Sequence, residues 1–508
     1  MKPLNLSVPE QHAYTDPTVE RNVERLRGWL TSLPLMDVVE TVRLVGNALD
    51  ALNEQQLDIR LRFDSLEAFH ATAQRLFITV DPLRLSQLSL SKPQRQQAIE
   101  GVERLLLSLA GGYKLVVMTL YETRVSGQGD RLFGDAVNRS IEALVYTLLD
   151  CYRFYRAMQP RCFSELHQLY RLARYHGLLN VKIDDDENDD SVTTATLYHT
   201  AMFSSLVDPF RLAEGEISLL FDVLLRHTSR CRIIPGSCQP GGEEGLYQLD
   251  LGSDAGPFAC VEHESSVAVK EAYILDAREV LKSVHEQLVK MPEKVRSLSP
   301  EATLLRQLLP EDPQAKLRRE ERRSDERRAQ VLLGMDDIHA FLMQVSSNKS
   351  AGKVASDADQ SPVESFSCKV LDSSENGMRL SWDNSAASDV RVGELLAIVE
   401  GQHLLLAMVR SVRVFREGAM EAGVQLIKGG VGAVYCHIPD DPESTGSIAL
   451  FMHSSGEEQG AATLIASSDI YKEGCHIVID VADKEVRARA GRCISGGPVF
   501  DRFEFSAE

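Results

Sequence analysis

The sequence predicts an α+β multidomain protein, with a mainly helical N-terminal domain followed by a C-terminal antiparallel β-barrel region. Three observations carry this expectation. Apolar residues recur at helical spacing through residues 1–230, and a Gly- and Pro-punctuated stretch from Arg232 to Ala268 breaks that texture. From Phe366 onward the apolar runs are short and separated by Gly, Asn, Asp and Ser turns. At roughly 150 residues per domain, a chain of 508 residues suggests about three domains. Its 44% hydrophobic and 25% charged composition is that of an ordinary globular protein.

In the first half, Val38, Val42, Val45, Leu49 and Leu52 step by four and three, which puts them on one helical face. Ile141, Leu144, Val145, Leu148, Leu149 and Tyr152 repeat the pattern, as do Ile217, Leu220, Phe221 and Leu224. Pro34, Pro82, Pro93 and Pro160 fall between such segments, where helices end. The most apolar stretch, Leu105 to Tyr121, is interrupted by Gly111, Gly112 and Lys114. It reads as a buried helix plus turn, because a membrane span needs about 20 predominantly apolar residues. No self-similarity at solenoid periods is visible, so residues 1–230 are expected to form an irregular helical scaffold or output domain.

Residues 231–315 read as an irregular hairpin insertion plus helices, with helical periodicity resuming at Val269. Residues 316–362 read as an arginine-rich arm and flexible linker, the tract from Ser346 to Pro362 being a loop. Runs such as Leu395–Val399, Leu404–Val409, Gly423–Ile427, Ile448–Met452, His476–Val481 and Phe503–Phe505 are strands. They place one barrel at 363–438. Residues 439–508 supply a second small barrel or the completion of the first.

Charge and cysteine content narrow the function. With 55 Lys plus Arg against 74 Asp plus Glu, the net charge of −19 argues against a general binder of nucleic acid or anionic membrane. It leaves room for a local basic pocket. The opening residues MKPLNLSVPEQH hold no apolar signal core. The nine cysteines are scattered without CxxC spacing, so neither a zinc site nor a disulfide framework is expected, and a reducing cytoplasm fits.

Two segments carry chemistry. Arg322-Arg323-Ser324-Asp325-Glu326-Arg327-Arg328 offers several guanidinium forks that can hold phosphate oxygens bidentately and stack on a purine face. Asp372-Ser373-Ser374-Glu375-Asn376-Gly377 is placed at a strand-to-strand turn. It offers a carboxylate acceptor for a guanine N–H edge, a hydroxyl, and a glycine that lets backbone approach a ligand closely.

These residues resemble the PilZ family of cyclic di-GMP receptors, in which an RxxxR segment precedes a [D/N]xSxxG turn on a barrel. Arg323 and Arg327 match the first motif, with Arg322 ahead of them, and Asp372, Ser374 and Gly377 match the second. The stretch Met378-Arg379-Leu380 and those around Val392-Gly393-Glu394-Leu395, Val409-Arg410 and Gly423-Val424-Gln425-Leu426 resemble its strand order. The resemblance implies that the arginines grip the phosphates and stack on guanine while the Asp/Ser turn reads the guanine edge. It implies a cytoplasmic, non-enzymatic receptor of cyclic di-GMP without other cofactor, signalling by conformational change to a protein partner through the helical domain. Motility, attachment or biofilm control is the implied setting, and homo-oligomerisation stays open. The alternative is a barrel that binds no nucleotide and serves as an interaction scaffold. Its support is the 49-position separation of Arg323 from Asp372.

Other signals are set aside. Gly241-Gly242-Glu243-Glu244 approaches the diguanylate cyclase signature, but Gly245 stands in place of phenylalanine and the segment reads as a hairpin turn. Glu142-Ala143-Leu144 spells a phosphodiesterase tripeptide in mid-helix, by chance. The acidic run from Asp184 to Asp190 lacks the glycine and glutamate of a calcium loop and reads as solvated. His167 and His176 lie nine apart, not on one helical face for a metal. Lys316–Arg328 also fits a solvated helix laced with i,i+4 pairs, with seven basic and four acidic residues. No paired carboxylates, nucleophile or metal constellation suggests catalysis.

Overall fold

A computed structural model describes residues 4–508 except 14–15, 124–127, 183–191, 240–242, 260–268, 310–322, 352–362, 383–389, 401–402, 416–417, 440–445, 454–461, 482–483 and 498. The chain divides into two compact units. One comprises Met1–Pro209 with Glu214–Lys316, and the other Phe210–Ala213 with Leu317–Glu508.

The first unit is helical. Its helices are α1 (Val23–Ser32), α2 (Val38–Glu54), α3 (Ile59–Thr79), α4 (Pro82–Ser86), α5 (Lys92–Thr123), α6 (Gln128–Arg153), α7 (Cys162–Tyr175), α8 (Thr194–Leu206) and α9 (Glu216–His227). The apolar faces read from the sequence are buried: Val42, Val45, Leu49 and Leu52 on α2, and Ile141, Leu144, Val145 and Leu148 on α6. Asp37 caps α2 by accepting from the Glu40 N–H at 3.1 Å.

One local expectation fails here. Gly111 and Gly112 form no turn but lie inside the 32-residue α5. A Cβ on Gly112 would come within 2.5 Å of a Leu66 methyl and 2.6 Å of Asn53 Oδ1. The glycine therefore serves close approach of α5 to α2 and α3, and packing outweighs its low helix propensity. Among the described residues α5 is also the helix long and apolar enough to cross a membrane. Most of that window is buried, however, with Leu105, Leu109, Val116 and Val117 in the core.

The residues after α9 form a four-stranded antiparallel sheet, β1 (Arg232–Pro235), β4 (Ala272–Asp276), β2 (Leu246–Asp250) and β3 (Phe258–Ala259), in that spatial order. Helical periodicity thus resumes at Arg278, not Val269. Residues 272–276 pair on both sides, with β1 and β2, and that ladder overrides the helical pattern. Gly241 and Gly242 lie outside the described residues, as does the acidic run from Asp184 to Asp190. Helices α10 (Arg278–Lys290), α11 (Glu293–Leu298) and α12 (Pro300–Leu308) complete the unit. His167 is a core histidine, bonded to Tyr198 Oη at 2.6 Å and the Ala255 carbonyl at 3.0 Å, and burial pushes its pKa down to about 4.

The second unit holds two antiparallel barrels. The first comprises β6 (Arg328–Leu333), β7 (Phe366–Ser373), β8 (Gly377–Trp382), β9 (Leu395–Glu400), β10 (His403–Val414) and β11 (Met420–Ile427). Its order β7-β6-β9-β10-β11-β8 is closed by the β7–β8 pairing, and β5 (Arg323–Ser324) adds to β7. The second is a closed barrel of β12 (Gly430–His437), β13 (Ser447–His453), β14 (Thr463–Ser467), β17 (Phe500–Ala507), β16 (Lys484–Gly496) and β15 (His476–Val481).

Two boundaries change accordingly. Residues 316–362 are not simply an arm and flexible linker, because β5 and β6 lie in the first barrel's sheet and α13 (Gly334–Ala351) follows β6. The run Val331-Leu332-Leu333 has two strand partners, β7 and β9, and Gly334 at φ +77° turns the strand into the helix. The first barrel ends before residue 438, since β12 pairs with β13 and β15 of the second. Residues 430–508 are therefore a separate barrel and not the completion of the first. Ile338 of α13 shares one apolar core with Leu332, Leu395 and Leu406 of the first barrel and Leu450, Met452 and Phe500 of the second.

Candidate ligand-binding site

The candidate site lies where β5 meets the end of β7. Arg323 stands opposite Ser373, and Ser324 opposite Asp372. Beyond them the Asp325 N–H donates to the Leu371 carbonyl at 3.0 Å, and the Val370 N–H donates to the Arg327 carbonyl at 2.9 Å. The backbone of 323–327 is thus fastened along the strand that leads into the turn. The intervening 48 residues are taken up largely by β6, α13 and β7, so their number does not measure distance. The spacing that supported the nucleotide-free alternative loses its force.

The arginines differ in their surroundings. Arg323 is exposed, and among the described residues its guanidinium has no hydrogen bond or ion pair. Arg327 is held by Asp325, Nε to Oδ2 at 3.2 Å. Arg322 lies outside the described residues. Arg328 begins β6 and is exposed.

At the turn, Ser374 closes the hairpin: its N–H donates to the Gly377 carbonyl at 2.8 Å and its Oγ to the same oxygen at 3.3 Å. The Asn376 carbonyl accepts from the Leu426 N–H at 2.9 Å, and Lys428 reaches Glu375 at 2.6 Å, which ties the turn to the β11 side. Gly377 has a structural reason that differs from the expected one. A Cβ there would sit 2.8 Å from the Val424 carbonyl oxygen on β11, so the glycine admits a neighbouring strand.

Asp372 faces a residue that motif reading missed. Arg379 of β8 stands opposite it, Nε to Asp372 Oδ2 at 2.9 Å, and also reaches Glu421 at 3.8 Å. The carboxylate is largely buried at 13% exposure while the guanidinium is 47% exposed. Arg379 was legible as a strand residue two positions after Gly377. Its pairing with Asp372 depends on the bulge between Val370 and Asp372, which no motif records. Backbone pairing thus sets Arg323 opposite Ser373 and Arg379 opposite Asp372, with Arg327 on the same arm, beside a turn that carries Asp372, Ser373, Ser374 and Glu375. Such a set can hold phosphate oxygens and a hydrogen-bonding base edge. Among the described residues no three His, Cys, Asp or Glu side chains are grouped to hold a metal.

Two family models and one curated protein match the chain. Residues 24–236 match the family model described as the N-terminal domain of the cyclic-di-GMP receptor FimW, and residues 343–429 match its middle PilZ domain. The second match contains Asp372, Ser374, Gly377 and Arg379, while Arg323 and Arg327 precede it. The curated cyclic-di-GMP receptor FimW of Pseudomonas aeruginosa is 21% identical over 576 aligned positions, covering 99% of this chain and 94% of that protein. No solved structure matches the chain. With a helical N-terminal region, a barrel bearing the DxSxxG turn and both domain matches in order, the chain belongs to the PilZ-domain family.

Proposed function

We propose that this protein is a cyclic di-GMP receptor, with Arg322, Arg323 and Arg327 as its phosphate and guanine contacts and Asp372, Ser374 and Gly377 as its turn. The observation that carries the reading is the pairing of β5 with β7, which sets the exposed Arg323 against Ser373 at the turn. Arg379 joins the set, because a ligand that draws on Asp372 must share it with this guanidinium. Binding would order the arm on the barrel and alter α13, which continues directly from β6. The signal would pass to a protein partner through the helical unit, in control of motility, attachment or biofilm within a bacterial cytoplasm.

Titration calorimetry with cyclic di-GMP tests this. Wild type should bind at micromolar level or tighter, and Arg323→Ala, Arg327→Ala or Asp372→Ala should abolish the heat. A second reading, a nucleotide-free scaffold, draws support from the existing Asp372–Arg379 ion pair at 2.9 Å. A folded wild type that gives no heat at high nucleotide concentration would decide for the scaffold.

A further inference from the structure

One carboxylate of the second unit bridges the arginine arm and the strand that leads into the DxSxxG turn. Asp325 Oδ2 accepts from Arg327 Nε at 3.2 Å and from the Ser373 hydroxyl at 3.4 Å. Asp325 Oδ1 accepts from the Arg327 backbone N–H at 3.3 Å. The Asp325 N–H is itself fixed to the Leu371 carbonyl at 3.0 Å, so the backbone holds this residue against the end of β7. A single oxygen therefore meets a guanidinium of the arm and a hydroxyl beside the turn, two kinds of donor that a phosphate oxygen takes.

The two motif arginines are unequal in consequence. Arg323 has no ion pair among the described residues, whereas the charge on Arg327 is already answered within the chain. A phosphate oxygen that takes Arg327 Nε must displace the carboxylate. One that takes the other N–H groups meets a like charge across the same guanidinium. The Asp325 side chain is 21% exposed, so water screens this repulsion only in part. Glu326 carries the same charge one residue further on, but its side chain is 81% exposed and its ion pair is with Lys369 at 4.0 Å. Solvent screens it.

Resting on the receptor reading above, we propose that Asp325 is an internal competitor for the nucleotide phosphate, holding the Arg327 guanidinium and the Ser373 hydroxyl in the free protein. The ligand must win these donors from the carboxylate, so Asp325 lowers affinity and sets the nucleotide concentration at which the protein responds. Asp372 acts in the opposite sense, since its carboxylate is the acceptor for the base edge. Neutralising the two aspartates therefore moves affinity in opposite directions.

Titration calorimetry with cyclic di-GMP on the full chain compares wild type with Asp325→Asn and Glu326→Gln. Asparagine removes the charge and keeps one oxygen as an acceptor. Asp325→Asn should tighten binding by about three- to fivefold at low salt, and the gain should narrow as salt is raised. Glu326→Gln, the matched loss of charge at a screened position, should stay within about twofold of wild type. If wild type binds and Asp325→Asn binds equally or more weakly, the proposal is overturned and Asp325 is a positioning residue for Arg327. Equal tightening by Glu326→Gln would overturn it as well, the effect then being one of net charge. Absence of binding by both wild type and Asp325→Asn would sink the receptor reading itself, and the competitor with it.

Discussion

Two six-stranded antiparallel barrels stand in tandem in the second unit, and they differ in what surrounds the closed ring. The second, from Gly430 to Ala507, runs β12-β13-β14-β17-β16-β15 around its ring. The first has α13 between its strands β6 and β7, an extra strand β5 beside β7, and the DxSxxG turn at the β7–β8 corner. Closure alone satisfies the edge hydrogen bonds of both. A ligand site requires more, and the proposed one draws on the arm and one hairpin corner. The contrast teaches that barrel architecture by itself assigns no function.

The largest expected effect concerns whether the barrels are one cooperative body. Leu450 of the second barrel is fully buried in the core shared with α13 and the first. Leu450→Ala should cost about 3–5 kcal/mol and lower the unfolding midpoint of both barrels together in a denaturant titration. Separate transitions, with only the second barrel displaced, would break the comparison in favour of two independent domains.

Next comes the glycine pair. Gly377→Val meets the Val424 carbonyl and should destabilise by about 2–3 kcal/mol, and it should weaken nucleotide binding through displacement of the turn. Gly432→Ala in β12 meets nothing within 4 Å and should stay within about 0.5 kcal/mol of wild type. Equal effects would mean that the DxSxxG glycine is no more constrained than an ordinary strand glycine.

Arg323→Ala sharpens the comparison from the other side. Its exposed side chain has no partner among the described residues, so stability should move by less than about 0.5 kcal/mol. Affinity for cyclic di-GMP should fall by about a hundredfold or more, enough to abolish the titration heat, in keeping with the loss of a charge-assisted contact. A melting shift with unchanged affinity would make the arm structural.

The smallest effect is a pH dependence at the joint. His339 of α13 is bonded through Nε2 to the Val434 carbonyl of β12 at 3.0 Å. Burial holds its pKa below the ordinary value, against the Val434 bond and Asp336, which raise it. Because the folded pKa is lowered, this contribution is complete above about pH 6.5 and declines as pH falls below it. The difference in urea midpoint between wild type and His339→Gln should therefore shrink from pH 7.5 toward pH 5, by under about 1 kcal/mol. A difference that grows on acidification would reverse the assignment.

Much of this protein was legible before folding. The steps at Val38, Val42, Val45 and Leu49, and those at Ile217, Leu220 and Leu224, mark faces that are buried in α2 and α9. Short alternating runs such as Leu404–Val409 mark barrel strands, and the residues of the two motifs are read directly. Local pattern determines these features, because burying one face of a helix or strand demands a fixed period.

Other features arise only between segments distant in the chain. Residues 272–276 are a strand because β1 and β2 flank them, and Gly112 belongs in a helix because Asn53 and Leu66 crowd it. The pairing of Arg323 with Ser373, the grip of Arg379 on Asp372, and the Val424 oxygen over Gly377 are likewise settled by sheet register. Local pattern marked which residues have the chemistry to meet a phosphate and a base edge. Which of them face one another was settled by the folded sheet, because a strand's partner and a bulge's place depend on long-range packing that local pattern does not encode.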